Sequence, residues 1–264
     1  MTLKAIIFDV DGTLAETEEA HRVAFNEEFA AWDLPWEWDR DLYAELLAVT
    51  GGRERIRHYI ERYAPPKAET VRERIAELHR AKSERYMKMI AEGAVPLRPG
   101  VARLIDEAKA AGLKVGVATT TSTPNVEVLI EATLGRPARD VFDALACGEE
   151  VERKKPAPDL YELALDKLGV SHNEAMAIED SRNGLYAALR AGVPVIITPS
   201  GYTAEEDFTD ALAVVSHLGE PDMPYEHLSG LGWSRTMITP SMLARWIDGW
   251  AGRPSTPPPP GLPV

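Results

Sequence analysis

The sequence predicts an α/β fold: a Rossmann-like, doubly wound parallel sheet interrupted near its start by an all-helical insertion. Three observations carry this. Short continuous apolar runs bounded by turn residues recur from residue 115 to residue 216, the mark of strands buried on both faces. Helical patterns closed by glycine separate them, which calls for parallel pairing. One further run, KAIIF (4–8), stands alone at the N-terminus, ahead of a long stretch of purely helical texture.

Each element follows in order. KAIIF is read as a strand feeding the loop DVDGT (9–13). Helices are expected near 17–31, 40–48, 53–63 and 68–91, broken by Pro35, by Gly51-Gly52 and by Pro65-Pro66. LRPGV (97–101) returns the chain to the alternating pattern. A helix near 100–111, with Val101, Leu104, Ile105 and Ala108 on one face, stops at Gly112. VGVAT (115–119), a helix near 124–134, ALAC (144–147) and the helix DLYELALDKL ending at Gly169 come next. AMAIE (175–179), GLYAALRAG (184–192), PVIIT (194–198) and AVVS (213–216) complete the set. The predicted organisation is an α/β core over 1–15 and 96–220, a helical block over 16–95, and a C-terminal extension over 221–264. In that extension a short amphipathic helix is expected around Ser241–Trp250, and Trp233, Trp246 and Trp250 suggest that it docks. Six prolines among the last 14 residues predict polyproline II or disorder beyond it.

Composition narrows the function. The 264 residues are 45% hydrophobic and 27% charged, the balance of a soluble globular protein. Forty-two acidic against 29 basic residues give a net charge of −13, which argues against a nucleic-acid partner. No run approaches the roughly 18 apolar residues that span a bilayer, and MTLKAIIFDV does not read as a signal peptide. The single cysteine, Cys147, sits in an apolar stretch and is expected to be a buried thiol in a reducing, cytoplasmic setting.

The chemistry lies at the strand ends. Asp9 and Asp11 follow the first strand, Glu179 and Asp180 the AMAI strand, and Thr119, Thr120 and Thr121 the VGVA strand. A parallel sheet points all these ends the same way, so the carboxylates converge. Crowded carboxylates repel unless a hard cation joins them, and oxygen ligands of this kind suit Mg²⁺. Thr119, Thr120 and Lys155 can add a phosphate pocket at that edge, with one carboxylate as nucleophile and another as acid and base.

Taken together, DVDGT (9–13), Thr119, KKPAPD (154–159) and IEDSRNG (178–184) resemble the four motifs of the haloacid dehalogenase superfamily. The helical insertion is similar to the C1-type cap of its β-phosphoglucomutase-like branch. Within that branch ETEEAHRVAFN, TGGRERI, LHRAKSERY and VATTTSTPNV resemble the CbbY-type phosphatases, which remove phosphate from xylulose-1,5-bisphosphate, an inhibitor of the carbon-fixing enzyme Rubisco. The resemblance covers roughly residues 3 to 230. It implies a cytoplasmic, Mg²⁺-dependent phosphatase acting on a small phosphorylated sugar through an aspartyl-phosphate. Asp9 would be the nucleophile and Asp11 the acid and base. Asp9, Asp180 and the Asp11 carbonyl would ligate the metal, with Glu179 either a further ligand or a partner behind them, and Thr119 and Lys155 would grip the phosphoryl oxygens. Arg53 is the first candidate for a second phosphate, and Glu18, His21 and Lys82 are candidates for sugar or phosphate contacts. Thr17 is placed at the hinge, and Arg55, Arg57 and Arg62 are expected at the surface. A monomer is expected. The rival readings are a sugar phosphomutase, a phosphatase of 2-phosphoglycolate or hexose phosphates, a dehalogenase, and a silent phosphate-sensing scaffold. Asp11 and Asp180 argue against the dehalogenase, and the intact motif residues against the scaffold.

Overall fold

The computed structural model describes residues 2–93, 95–232 and 235–250. The chain begins with β1 (Ala5–Phe8) and enters five helices: α1 (Glu18–Ala31), α2 (Arg40–Leu46), α3 (Gly52–Tyr63), α4 (Ala68–Arg72) and α5 (Ile75–Ala91). It continues through α6 (Val101–Ala110), β2 (Lys114–Ala118), α7 (Thr123–Leu134), α8 (Ala138–Val141), β3 (Ala144–Ala146) and α9 (Asp159–Leu168). β4 (Ala175–Glu179), α10 (Arg182–Arg190), β5 (Val195–Ile197), β6 (Ala213–Val215), β7 (His227–Gly230) and α11 (Pro240–Trp250) close it.

The strands form one seven-stranded sheet in the order β3-β2-β1-β4-β5-β6-β7, parallel except for β7. β1 lies inside, pairing Ile7 with Gly116 of β2 and with Ala177 of β4. Its residues alternate between two apolar layers. Ile6 and Phe8 pack with Leu104 and Ile105 of α6 and Leu129 and Ile130 of α7. Ala5 and Ile7 pack with Leu160 and Leu165 of α9 and Leu185 of α10. Cover on both faces is why the strands read as unbroken apolar runs. The strand order reverses beside β1, where β2 leaves to one side and β4 to the other, and a crevice opens at the carboxyl ends there.

The five helices between β1 and β2 have a core of their own, in which Phe25, Phe29, Trp36, Trp38, Tyr43 and Tyr59 pack with Ile56, Ile60 and Leu78. Trp38 is its hub, with ring centroids 4.6 Å from Phe25, 4.9 Å from Phe29 and 5.3 Å from Tyr59. The block is rooted on the sheet layer through Ala20 and Ala24 of α1 and Tyr86 and Ile90 of α5.

Four features depart from the sequence reading. The helix expected over 68–91 is two, because the Arg74 amide closes onto the Val71 carbonyl at 2.8 Å and the backbone turns there, leaving Val71 and Ile75 both in the aromatic core. β7 is an edge strand whose residues are mostly exposed, so its sequence HLSG lacks the apolar run that marks the other strands. The short α8 also went unread. Arg55, expected at the surface, is buried: it donates to the Tyr43 hydroxyl at 3.0 Å and the Leu46 carbonyl at 3.3 Å. The expected C-terminal helix is α11, which buries Met242, Leu243 and Ile247 in the sheet layer, with Trp246 and Trp250 packed alongside. Trp233 and the proline-rich stretch 251–264 lie outside the described residues. Cys147 is fully buried, and no described helix is long and apolar enough to cross a membrane.

Candidate active site

The chain leaves β1 at Asp9, whose amide still donates to the Ile178 carbonyl of β4 at 3.0 Å, so the carboxylate starts from the rigid sheet edge. The loop then folds back through Thr13 and Leu14 amides onto the Val10 carbonyl. Gly12 makes this possible with φ +83°, and a Cβ there would stand 2.1 Å from an Asp180 carboxylate oxygen. The first and fourth strand-end motifs thus touch through a position where only glycine fits.

Three carboxylates and one ammonium form the centre. Lys155, 3% exposed, donates to Asp9 Oδ1 at 2.6 Å and Glu179 Oε1 at 2.5 Å. Tyr161 adds a hydroxyl to Glu179 at 2.8 Å. Oxygens of Asp9, Glu179 and Asp180 lie within 4.8 Å of one another, all buried. Burial, then the neighbouring charges of Glu179 and Asp11, push the Asp9 carboxyl up to about 8 despite Lys155. Burial, Asp9 and Glu179 likewise push Asp180 well up. Lys155 moves upward too, since Asp9 and Glu179 outweigh its burial. Three carboxyls thus crowd one ammonium in a buried, oxygen-rich cluster whose negative charge Lys155 alone does not offset. That donor set fits a divalent hard cation such as Mg²⁺.

Asp11 faces a different environment. Its Oδ1 accepts from the Thr17 hydroxyl at 2.6 Å and lies 3.2 Å from His21 Nε2. His21 Nδ1 lies 2.6 Å from Lys82 Nζ, and its ring stacks on Tyr86 at 3.8 Å. With Lys82 as an ammonium donating to Nδ1, His21 carries its proton on Nε2 and donates a hydrogen bond to Asp11. Burial raises the Asp11 carboxyl, but His21, Thr17 and Lys82 together hold it below its ordinary value. Burial, then Arg55, lowers Lys82 to about 7. Asp9 is therefore driven up and Asp11 down; an attacking carboxylate needs the opposite shift, which a cation held by Asp9 would supply.

Asp9, Asp11, Glu18, His21, Arg53, Lys82, Thr120, Lys155 and Asp180 line one cavity of about 440 Å³ between the helical block and the sheet edge. Two expected residues are set back from its wall. Thr119 is 1% exposed and its hydroxyl accepts from the Thr121 amide at 3.2 Å, leaving Thr120 and Thr121 on the wall. Glu179 is fully buried behind Lys155. Glu18 accepts from the Tyr43 hydroxyl at 2.8 Å, and Arg53 is exposed at the first turn of α3. The block meets the core around the cavity through Thr50 to the Lys155 carbonyl, Asn183 to the Ala48 carbonyl at 3.2 Å, and Lys154 to Glu54 at 3.1 Å.

Sequence reasoning missed two structural partners. Tyr161 sits on a helix whose apolar spacing absorbs it, so nothing local marks its hydroxyl. Arg98 donates to the backbone carbonyls of Gly12, Thr198 (2.6 Å), Pro199 (2.7 Å) and Ser216 (3.0 Å), and pairs with Glu16 at 3.1 Å. An arginine inside LRPGV, between apolar and turn residues, was the available signal.

The family model of haloacid dehalogenase-like hydrolases matches residues 3–192. Protein CbbY of Cereibacter sphaeroides is 52% identical over 218 residues, covering 83% of this chain and 94% of that protein. A crystal structure of a CbbY mutant from Rhodobacter sphaeroides in complex with xylulose-(1,5)-bisphosphate aligns with a TM-score of 0.77 at 51% identity, over 81% of this chain and 94% of that one. A β-phosphoglucomutase structure from Clostridium difficile, 18% identical, aligns with a TM-score of 0.71 over 95% of this chain and all of that one, and shows the shared fold.

Proposed function

Since the chain belongs to the haloacid dehalogenase-like hydrolases and is a phosphatase, we propose that it hydrolyses a sugar bisphosphate, xylulose-1,5-bisphosphate, with Mg²⁺ and an aspartyl-phosphate on Asp9. The observation that carries this is the cluster of Asp9, Glu179 and Asp180 around Lys155, opening beside Asp11 into one cavity. The CbbY complex with xylulose-(1,5)-bisphosphate supports the substrate.

Asp9 attacks phosphorus, forming its acyl-phosphate bond as the bond from phosphorus to the sugar oxygen breaks. Asp11 gives that oxygen a proton. His21 and Thr17 hold Asp11 ionised at rest, so the proton must arrive with substrate, whose phosphate charge opposes that of the carboxylate. In the second half Asp11 takes a proton from water as water attacks the phosphoenzyme and Asp9 leaves. Lys155 steadies Asp9 and faces the transferred oxygens, with Thr120 on the wall beside it. Asp9, Asp180 and the Asp11 carbonyl would hold Mg²⁺, with Glu179 alongside, and the ion would supply charge neutralisation. Residues 16–95 serve as the cap that excludes water, residues 1–15 and 96–220 as the catalytic core, and 221–264 as an extension contributing β7 and α11 to it. Arg53 at the start of α3 receives the second phosphate, and Glu18 the sugar hydroxyls.

The test is phosphate release from xylulose-1,5-bisphosphate with Mg²⁺ or EDTA, for wild type and Asp9→Asn, beside sugar monophosphates and 2-phosphoglycolate. The expected outcome is Mg²⁺-dependent release favouring the bisphosphate, reduced by about 10³-fold or more in Asp9→Asn. A monophosphate turned over faster than the bisphosphate overturns the substrate reading. Full activity in EDTA overturns the metal.

A further inference from the structure

Of the basic side chains around the cavity, three are committed to structure. Lys155 holds Asp9 and Glu179, Lys82 holds His21, and Arg55 holds Tyr43 and the Leu46 carbonyl. Lys154 is different, for its partner is an acidic residue of the opposite wall. Its Nζ lies 3.1 Å from Glu54 Oε1, joining the core loop just before Lys155 to the first turn of α3. Glu54 Oε2 is buried and has no hydrogen-bond partner among the described residues, a costly arrangement for a carboxylate oxygen.

Both residues line the cavity beside Arg53 and His79. Gly51 floors the pair: a Cβ there would stand 2.3 Å from Glu54 Oε2 and 2.8 Å from Lys154 Nζ. Burial, then Lys82, Arg53, His21 and Lys154, push His79 down to about 3, so positive charge converges on this wall. Against that charge, and against the amides opening α3, Glu54 stands as the resident anion.

We propose that Glu54 is an internal counter-ion of Lys154 that the second phosphate of a bisphosphate displaces, so that Lys154 selects doubly phosphorylated substrates while Glu54 guards it against weaker anions. This rests on the bisphosphate reading above. A phosphate dianion offers more charge and more acceptor oxygens than one carboxylate, so it wins Lys154 and the α3 amides. The Glu54 side chain, 40% exposed, is released to water. A monophosphate brings nothing to that wall, and the Lys154–Glu54 pair stays closed. Glu54 also opposes small dicarboxylates, which must displace one carboxylate with another for no gain.

The experiment compares kcat/KM for xylulose-1,5-bisphosphate and for the singly phosphorylated sugar in wild type, Lys154→Met, Lys154→Arg and Glu54→Gln. The bisphosphate-to-monophosphate ratio is expected to fall about tenfold in Lys154→Met, chiefly through KM, and to be retained in Lys154→Arg. In Glu54→Gln the bisphosphate KM falls and the ratio rises severalfold, because the competitor is gone while the cation remains. A preference for the bisphosphate that Lys154→Met and Glu54→Gln leave unchanged overturns this inference alone. A wild type with no such preference overturns the substrate reading and this inference with it. Loss of both activities together in Lys154→Met, with Lys154→Arg failing to restore the ratio, assigns the residue a structural role and overturns the inference.

Discussion

At the residue scale, charge placement decides which groups can react. Arg98 has no contact with the cavity, yet its guanidinium ties the Gly12 carbonyl, between the two motif aspartates and the cap, to the ends of β5 and β6. Lysine keeps the charge but lacks the planar fork that reaches carbonyls on both sides. Arg98→Lys is expected to lower kcat about tenfold or more with little change in KM, and to cost about 1–3 kcal/mol in denaturant unfolding. Unchanged kcat sinks the positioning role. His79 provides the pH test. An unfolded histidine takes up its proton near 6.5, while the folded one waits until about 3. Between those values the unfolded chain binds more protons, so stability from this residue is complete above 6.5 and is lost as pH falls toward 3. The slope is about 1.4 kcal/mol per pH unit. His79→Gln is expected to flatten acid unfolding over that window, and the His79 ring should show no NMR titration from pH 8 to pH 5. A midpoint near 6.5 would falsify this.

At the element scale, the helical block stands on its aromatic core rather than on helix propensity. Trp38 is fully buried and contacts rings from α1, α2 and α3, though its indole nitrogen has no hydrogen-bond partner among the described residues. Trp38→Ala should cost about 3–5 kcal/mol and melt the block ahead of the sheet, seen as early loss of near-ultraviolet dichroism. Trp38→Phe should cost far less, since it removes an unsatisfied donor along with the area. Coincident melting of block and sheet in Trp38→Ala would show that the two do not separate. The helices themselves were legible from apolar spacing, but the break between α4 and α5 was not. No glycine or proline marks it, and packing of Val71 and Ile75 into one core decides it.

At the scale of the whole molecule, the C-terminal extension belongs to the sheet layer. Leu243 is fully buried among residues that include Leu104 and Ile105 of α6, so α11 covers apolar surface that flanks the catalytic strand. Leu243→Asp is expected to destabilise by about 3 kcal/mol or more while leaving KM of the folded fraction near wild type, read by thermal unfolding beside steady-state kinetics. A changed KM at full stability would instead link α11 to the cavity. The sheet was readable because burial on both faces writes continuous apolar runs, and β7 was not because an edge strand needs none.

The sequence by itself determined the α/β class, the strand-end positions of Asp9, Asp11, Thr120, Lys155 and Asp180, and the oxygen-rich chemistry they share. Local pattern suffices there, since strand periodicity and parallel direction together send these side chains to one edge. Only the tertiary structure decided which groups hold which. Lys155 meets Asp9 across 146 residues, Lys154 meets Glu54 across 100, and Thr119 turns away from the cavity while Arg98 grips the loop from behind. Such partnerships depend on burial and on distances between segments remote in the chain, and neither leaves a periodic trace in the residues that form them.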